Sequence, residues 1–214
     1  MEKKAIKKIV ITNLFGETKQ VPDSDILSIQ TSSSVDHYCG SFNIILKNEA
    51  GKNSKIAEAT NEIEIYAGYA ETGMKKILAG YIDKIVFQKK EESGETLEIN
   101  GRSYESFLFD KKVSGKIQFT KGFSQVVREI LKTSPFDLKE IQDSEGTGVV
   151  IFRNISIIDL IRQLSEENGW VFRIDHDKKF YFKPEVSDTT HHHTLTTKDM
   201  KSYRITKGRD QSRE

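Results

Sequence analysis

The sequence predicts an α+β protein: an antiparallel β-barrel running to about residue 112, then a small α+β unit of two helices and a β-hairpin over residues 113–185. Three observations carry this expectation. Up to residue 112 the apolar residues recur with a period of two; beyond it the period lengthens to that of amphipathic helices; and polar, glycine-bearing turn signals separate the strand-like runs at short intervals.

The strands come first. "SFNIILK" places Phe42, Ile44 and Leu46 on one face, "NEIEIY" places Ile63 and Ile65 against Glu62, Glu64 and Tyr66, and "TLEING" places Leu97 and Ile99 against Thr96, Glu98 and Asn100. This is the alternation of half-buried antiparallel strands. "LAGYIDKIVFQ" alternates less cleanly, with Tyr81, Ile85 and Phe87 on one phase and Ile82 and Val86 on the other, which predicts a strand covered on both faces. "KNEAGKN", "YAETGM" and "KKEESGE" supply the turns.

After "KVSGKIQF" the helices begin. Phe123, Val126, Val127, Ile130 and Leu131 form one stripe, in a helix over about 122–133 that must stop near Pro135. The next helix, about 156–168, has Ser156 as N-cap, a stripe of Ile157, Leu160, Ile161 and Leu164, and Gly169 as a left-handed C-terminal cap. They are expected to bury against "GVVIFRN" and against a hairpin, "WVFRIDHDKKFYFKP", that turns at "DHDK". From residue 186 the sequence is polar; it reads as a linker followed by a strand at "KSYRITKG" that lacks a partner, as in a truncated chain.

Composition narrows the chemistry. The 214 residues can bury a core without staples, and the single cysteine, Cys39, excludes an internal disulfide and reads as a small buried filler. With 33 basic and 32 acidic residues no global field draws the protein to nucleic acid or anionic lipid. No apolar run approaches the roughly 20 residues that span a bilayer, and the Met-Glu-Lys-Lys start is unlike a signal peptide. A soluble protein made in the cytoplasm is expected, without nucleic-acid recognition or membrane insertion.

Each chemical motif has a plainer counterpart. His191, His192 and His193 form the one histidine cluster, but no carboxylate or thiolate stands at a familiar ligand spacing, so a solvated linker is the preferred reading and metal binding stays open. His37 beside Asp36 and His176 beside Asp175 read as turn or strand-end residues. There is no Gly-x-Ser-x-Gly elbow and no Cys/His nucleophile signature. Glu62, Glu64, Glu98 and Asp83 could supply a glycosidase pair, yet they lie on the polar phase of strands, where a solvated face is the ordinary reason. Lys3, Lys4, Lys7 and Lys8, and the scatter at Lys198, Lys201, Arg204, Lys207 and Arg209, lack interleaved aromatics and read as solvated termini. Gly101-Arg102-Ser103 could cradle a phosphate, but a phosphate loop needs several glycines leading into a helix. The favoured reading is structural: Gly101 permits a positive φ or a tight strand exit, Arg102 caps or pairs at the sheet edge, and Tyr104, Phe107 and Leu108 form a short apolar turn that closes the barrel. No catalytic, cofactor-binding or metal-ligating residue is assigned.

In order and spacing, "SFNIILKNEAGK", "IEIYAGY", "ILAGYIDKI", "LEINGRSYESFLFDKKV" and "FSQVVREIL" resemble the baseplate hub proteins of phage tails and contractile injection systems, the late control protein D and prophage tail hub family. The resemblance implies that residues 1–112 are a tube-like domain, 113–185 an inserted α+β domain, and 186–214 a linker and the start of a second tube-like domain that is almost entirely missing. It implies a non-enzymatic structural subunit without cofactor, joining the tail tube to the spike and assembled into a virion or phage-tail-like particle in a bacterial host. The complete protein would be a homotrimer and the truncated chain mainly monomeric. A tail-associated cell-wall hydrolase or peptidase, using the carboxylates or the histidine triplet, is the alternative.

Overall fold

The computed structural model describes residues 5–33, 39–90 and 94–185. Met1–Pro184 forms one compact unit and Glu185–Glu214 a second, which apart from Glu185 lies outside the described residues.

Period-two alternation yields seven strands: β1 (Ala5–Thr12), β2 (Thr18–Val21), β3 (Ile26–Ser32), β4 (Ser41–Lys47), β5 (Glu62–Tyr69), β6 (Gly73–Lys90) and β7 (Gly94–Ser103). They form one antiparallel sheet in the order β2-β1-β5-β6-β7-β4-β3. Register pairs Ile9 with Ile65, and Ile99 with both Ile44 and Ile85. The inner face therefore gathers Ile9, Ile11, Phe42, Ile44, Leu46, Ile63, Ile65, Leu97 and Ile99 into one buried cluster. Each such side chain contributes about 1.5–3 kcal/mol of transfer free energy.

The chain crosses from one edge of this sheet to the other in a single step. Val21 ends β2, and Ile26, five residues on, begins β3. Five residues reach at most about 18 Å, whereas opposite edges of a flat seven-stranded sheet lie about 29 Å apart. The sheet must therefore roll. Lys7, on the inner phase of β1, donates from Nζ to the Ile26 carbonyl on the far edge strand at 2.7 Å, as the roll requires.

The roll is not a barrel. Among the described residues no ladder joins β2 to β3. The expected closed barrel is thus corrected to an open, rolled sheet, and the balanced α+β class to a mostly β protein with eleven strands and three α-helices among the described residues. The cause is local: β2 has only four residues, Pro22 has no N–H to donate, and a 3-10 turn at Asp23–Asp25 carries the chain across the gap. That turn is anchored by its own buried carboxylate, since Asp25 accepts from Lys52 Nζ at 2.8 Å and Asn53 Nδ2 at 3.2 Å.

The irregular alternation of β6 also has a local cause. Ile82 pairs with Gly101 and Lys84 with Asn100, leaving Asp83 as the extra residue of a β-bulge. The bulge shifts the phase, so Ile82 before it and Ile85 after it both face the core, and Phe87 is 61% exposed rather than covered.

Beyond β7 a short helix, α1 (Ser106–Asp110), stands where an apolar turn was expected and buries Leu108. Strand β8 (Lys112–Phe119) pairs with β9 (Gly148–Ser156), and β10 (Trp170–Ile174) with β11 (Phe180–Pro184). Helices α2 (Gly122–Leu131) and α3 (Ile157–Asn168) follow the predicted stripes. Ser156 Oγ accepts the Asp159 N–H, and Gly169 closes α3 in the left-handed conformation at φ 63°. Val126, Val127, Leu131, Leu160, Ile161, Leu164, Phe180 and Phe182 build a second core, which takes in Ala79, Tyr104 and Leu108 from the preceding strands and helix.

Replacing Ile65 or Ile99 by alanine should cost about 2–5 kcal/mol in chemical denaturation, whereas Phe87→Ala, on the exposed end of β6, should move the midpoint little.

Candidate functional site

The polar phase of the sheet brings the candidate residues together in pairs. Arg102 lies inside β7, between β4 and β6, and not at a sheet edge. Its Nε and Nη2 donate to the two carboxylate oxygens of Asp83 at 2.7 and 3.0 Å, and its Nη1 and Nη2 to those of Asp110 at 3.1 and 2.8 Å. The bulge is what turns Asp83 toward it. Both carboxylates raise the guanidinium's already high pKa. Gly101 is needed for close approach, not for a positive φ: a Cβ there would lie 2.1 Å from the Tyr81 carbonyl oxygen and 2.3 Å from the Phe42 ring. Glycine thus lets the strands pack, and the arginine is spent on two carboxylates; neither forms a phosphate cradle.

A second cluster holds the β10–β11 turn against the sheet. Lys178 Nζ donates to Glu62 at 2.6 Å and stands 5.2 Å from the Tyr104 ring centre, while the Tyr104 hydroxyl meets Glu62 at 3.3 Å. Lys76 Nζ bridges Glu64 at 2.7 Å and Asp177 at 2.8 Å, and donates to the His176 carbonyl at 3.3 Å. Burial disfavours the Glu64 carboxylate, but hydrogen bonds from Lys76 and Tyr66 outweigh it and hold the carboxyl below its ordinary range. Burial likewise opposes the charge on Lys76, yet Asp177 and Glu64 raise its pKa. A glycosidase acid needs the opposite shift. Glu98, the remaining candidate, accepts amide hydrogens from Asn43, Gln88 and Asn100 at 2.6–3.2 Å.

Glu105 escaped the reading of the sequence. Burial raises its pKa, and it lines a cavity of about 190 Å3 with Gly40, Ser103, Asp175 and His176. Cys39 adjoins it, 3.6 Å from the Ser103 hydroxyl, but burial pushes this thiol up, away from the thiolate a nucleophile requires. Tyr81, packed edge-on to Tyr104 with ring centres 5.3 Å apart, is pushed up to about 12, first by burial and then by Glu62. Among the described residues no three His, Cys, Asp or Glu side chains are grouped to hold a metal, and no helix is long and apolar enough to cross a membrane. His191, His192 and His193, His37 with Asp36, Lys3 and Lys4, and Lys198, Lys201, Arg204, Lys207 and Arg209 lie outside the described residues.

No protein-family model matches the chain, and no curated protein matches it. Among solved structures, the fold is one found in tail proteins, one of them from a prophage. The 43 kDa tail protein of prophage MuSo2 from Shewanella oneidensis aligns with 85% of this chain and 56% of its own, at TM-score 0.60 and 16% identity. A tail protein from Neisseria meningitidis MC58 aligns over 84% of this chain and 51% of its own, at TM-score 0.56 and 13% identity. A chain of the Francisella PdpA–VgrG complex aligns over 87% of this chain and 32% of its own, at TM-score 0.58 and 10% identity. The chain thus spans about half the length of the two tail proteins and a third of the last. At these identities the likeness is one of fold.

Phosphate titration followed by backbone NMR should leave the amides of residues 100–104 in place, because Arg102 has its carboxylate partners already; saturable shifts there would contradict this. The Lys76 cluster should be acid-sensitive with a defined sign. Glu64 and Asp177 titrate below their unfolded values, so their contribution is complete above about pH 5 and is lost as the pH falls through the folded-state values. The loss of stability caused by Lys76→Met at neutral pH should therefore shrink toward zero as urea denaturation is repeated at progressively lower pH.

Proposed function

We propose that the chain is a structural baseplate hub subunit of a phage tail or phage-tail-like contractile particle, joining the tail tube to the spike. The observation that supports this reading is the shared fold: about 85% of the chain aligns with each of two tail proteins, one of them from a prophage. The chemistry is compatible with it. Glu62, Glu64, Glu98, Asp83 and Arg102 are engaged with partners inside the chain, as in a scaffold, and Glu64 is shifted away from what a hydrolytic acid requires.

In this reading residues 1–112 form a tube-like domain, built on the rolled sheet, and residues 113–185 an α+β domain on its flank, with 186–214 leading into a further tube-like domain. The partners are the tail tube and the spike or other baseplate proteins, with the complete protein a homotrimer. Synthesis takes place in the host bacterial cytoplasm, followed by assembly into the particle. No step of this function calls for a catalytic residue or a cofactor.

Co-expression of the complete protein with the tube and spike proteins of its own particle, followed by gel filtration with light scattering, should give a complex containing three copies of it. A protein that joins neither partner would defeat the assignment, as would clearing of purified cell walls at catalytic protein concentration, which would move it to the hydrolases.

A further inference from the structure

The β8–β9 ribbon is covered on one face only. Val150, Phe152 and Ile155 pack on the second core, whereas Val149 and Ile151 point the other way and are 49% and 74% exposed. Apolar residues on both phases are the pattern of a strand covered on both faces. Between β9 and α3 runs a groove of about 620 Å3, lined by Phe119, Phe123, Leu160 and Leu164 and by the polar Gln163 and Glu167. The edge of β9 that does not meet β8 has no strand partner among the described residues. A free edge beside a groove with apolar walls and polar margins is an arrangement that accepts an added strand.

Charge narrows what that strand can be. The charged residues of the ribbon are Lys112 and Lys116 on β8 and Arg153 on β9, all exposed and all cationic, and none of them makes an ion pair among the described residues. Lys116 stands directly opposite Ile151. Glu167, the carboxylate along the groove, belongs to the helix wall and accepts from Gln163 at 3.0 Å.

We propose that β9 receives an extended segment of a partner protein in which apolar and acidic residues alternate. Backbone hydrogen bonds pair it with the free edge of β9. Its apolar residues enter the groove beside α3, and its acidic residues emerge on the outer face, near Lys116 and Arg153. An anionic bilayer would meet the same cations but could not satisfy the strand edge. The inference stands independently of the hub assignment.

The probes are a labelled peptide of about ten residues alternating valine and glutamate, its lysine-for-glutamate counterpart, and vesicles of phosphatidylserine and phosphatidylcholine. The glutamate peptide should bind saturably and shift the backbone amides of residues 148–153. The Lys116→Glu, Arg153→Glu double variant, with its circular dichroism unchanged, should prefer the lysine peptide. Absence of saturable binding, equal binding of both peptides, or shifts confined to other parts of the sheet would overturn the proposal. So would binding to the vesicles in place of the peptide, which would assign the face to lipid.

Discussion

The five-residue crossing from Val21 to Ile26 is the constraint on which the rest of the structure depends. A chain that must pass from one edge of a seven-stranded sheet to the other within the reach of a 3-10 turn cannot leave that sheet flat. Rolling it encloses the isoleucines and leucines of β1, β4, β5 and β7 on one side and turns their polar neighbours outward. It also brings the β3 edge within reach of Lys7, whose ammonium satisfies an edge carbonyl that closure into a barrel would have satisfied with a ladder. Asp25, buried in the crossing and held by Lys52 and Asn53, fixes the turn that makes the roll possible.

The outer face of the roll then serves as a foundation. Ala79 and Tyr104 share the second apolar core with α2 and α3, and Lys76, Glu62 and Glu64 clamp the turn between β10 and β11. Apolar contact and ion pairs thus act on the same junction from two sides. Side chains that a reader of the sequence would examine for catalysis are consumed in this fastening. Their hydrogen bonds, prevailing over the opposing effect of burial, move Glu64 and Lys76 toward stable charge, away from the shared protons on which acid–base chemistry runs.

Much of this was legible in the sequence because it is short-range. The alternation in "SFNIILK", "NEIEIY" and "TLEING" named the core residues of three strands, and Ser156 and Gly169 bounded α3 because caps are local hydrogen-bonding devices. Barrel closure was not legible, since it depends on whether two edges far apart in sequence form a ladder, and the four residues before Pro22 carry no sign of that. The broken alternation of "LAGYIDKIVFQ" did contain a signal: a phase slip at Asp83 marks a bulge, and the bulge is what delivers Asp83 to Arg102. The partners of Glu62 and Lys76 could not be read at all, because Lys178 and Asp177 come from a hairpin about a hundred residues away. Glu105 gave no signal, being one carboxylate in an otherwise ordinary turn.

Strand β6 carries a consequence of its length. Its 18 residues are laddered to β5 on one side and to β7 on the other, over a span of about 55–60 Å. Tension applied along that axis meets many hydrogen bonds loaded in parallel shear, so no single bond is opened in turn as in a zipper. The bulge at Asp83 is the one place along the β7 seam where that load path is interrupted, and Arg102, gripping Asp83 from the neighbouring strand, rivets it shut. The sheet is in that sense a mechanical strut, stiff along β6 and compliant across its open edges.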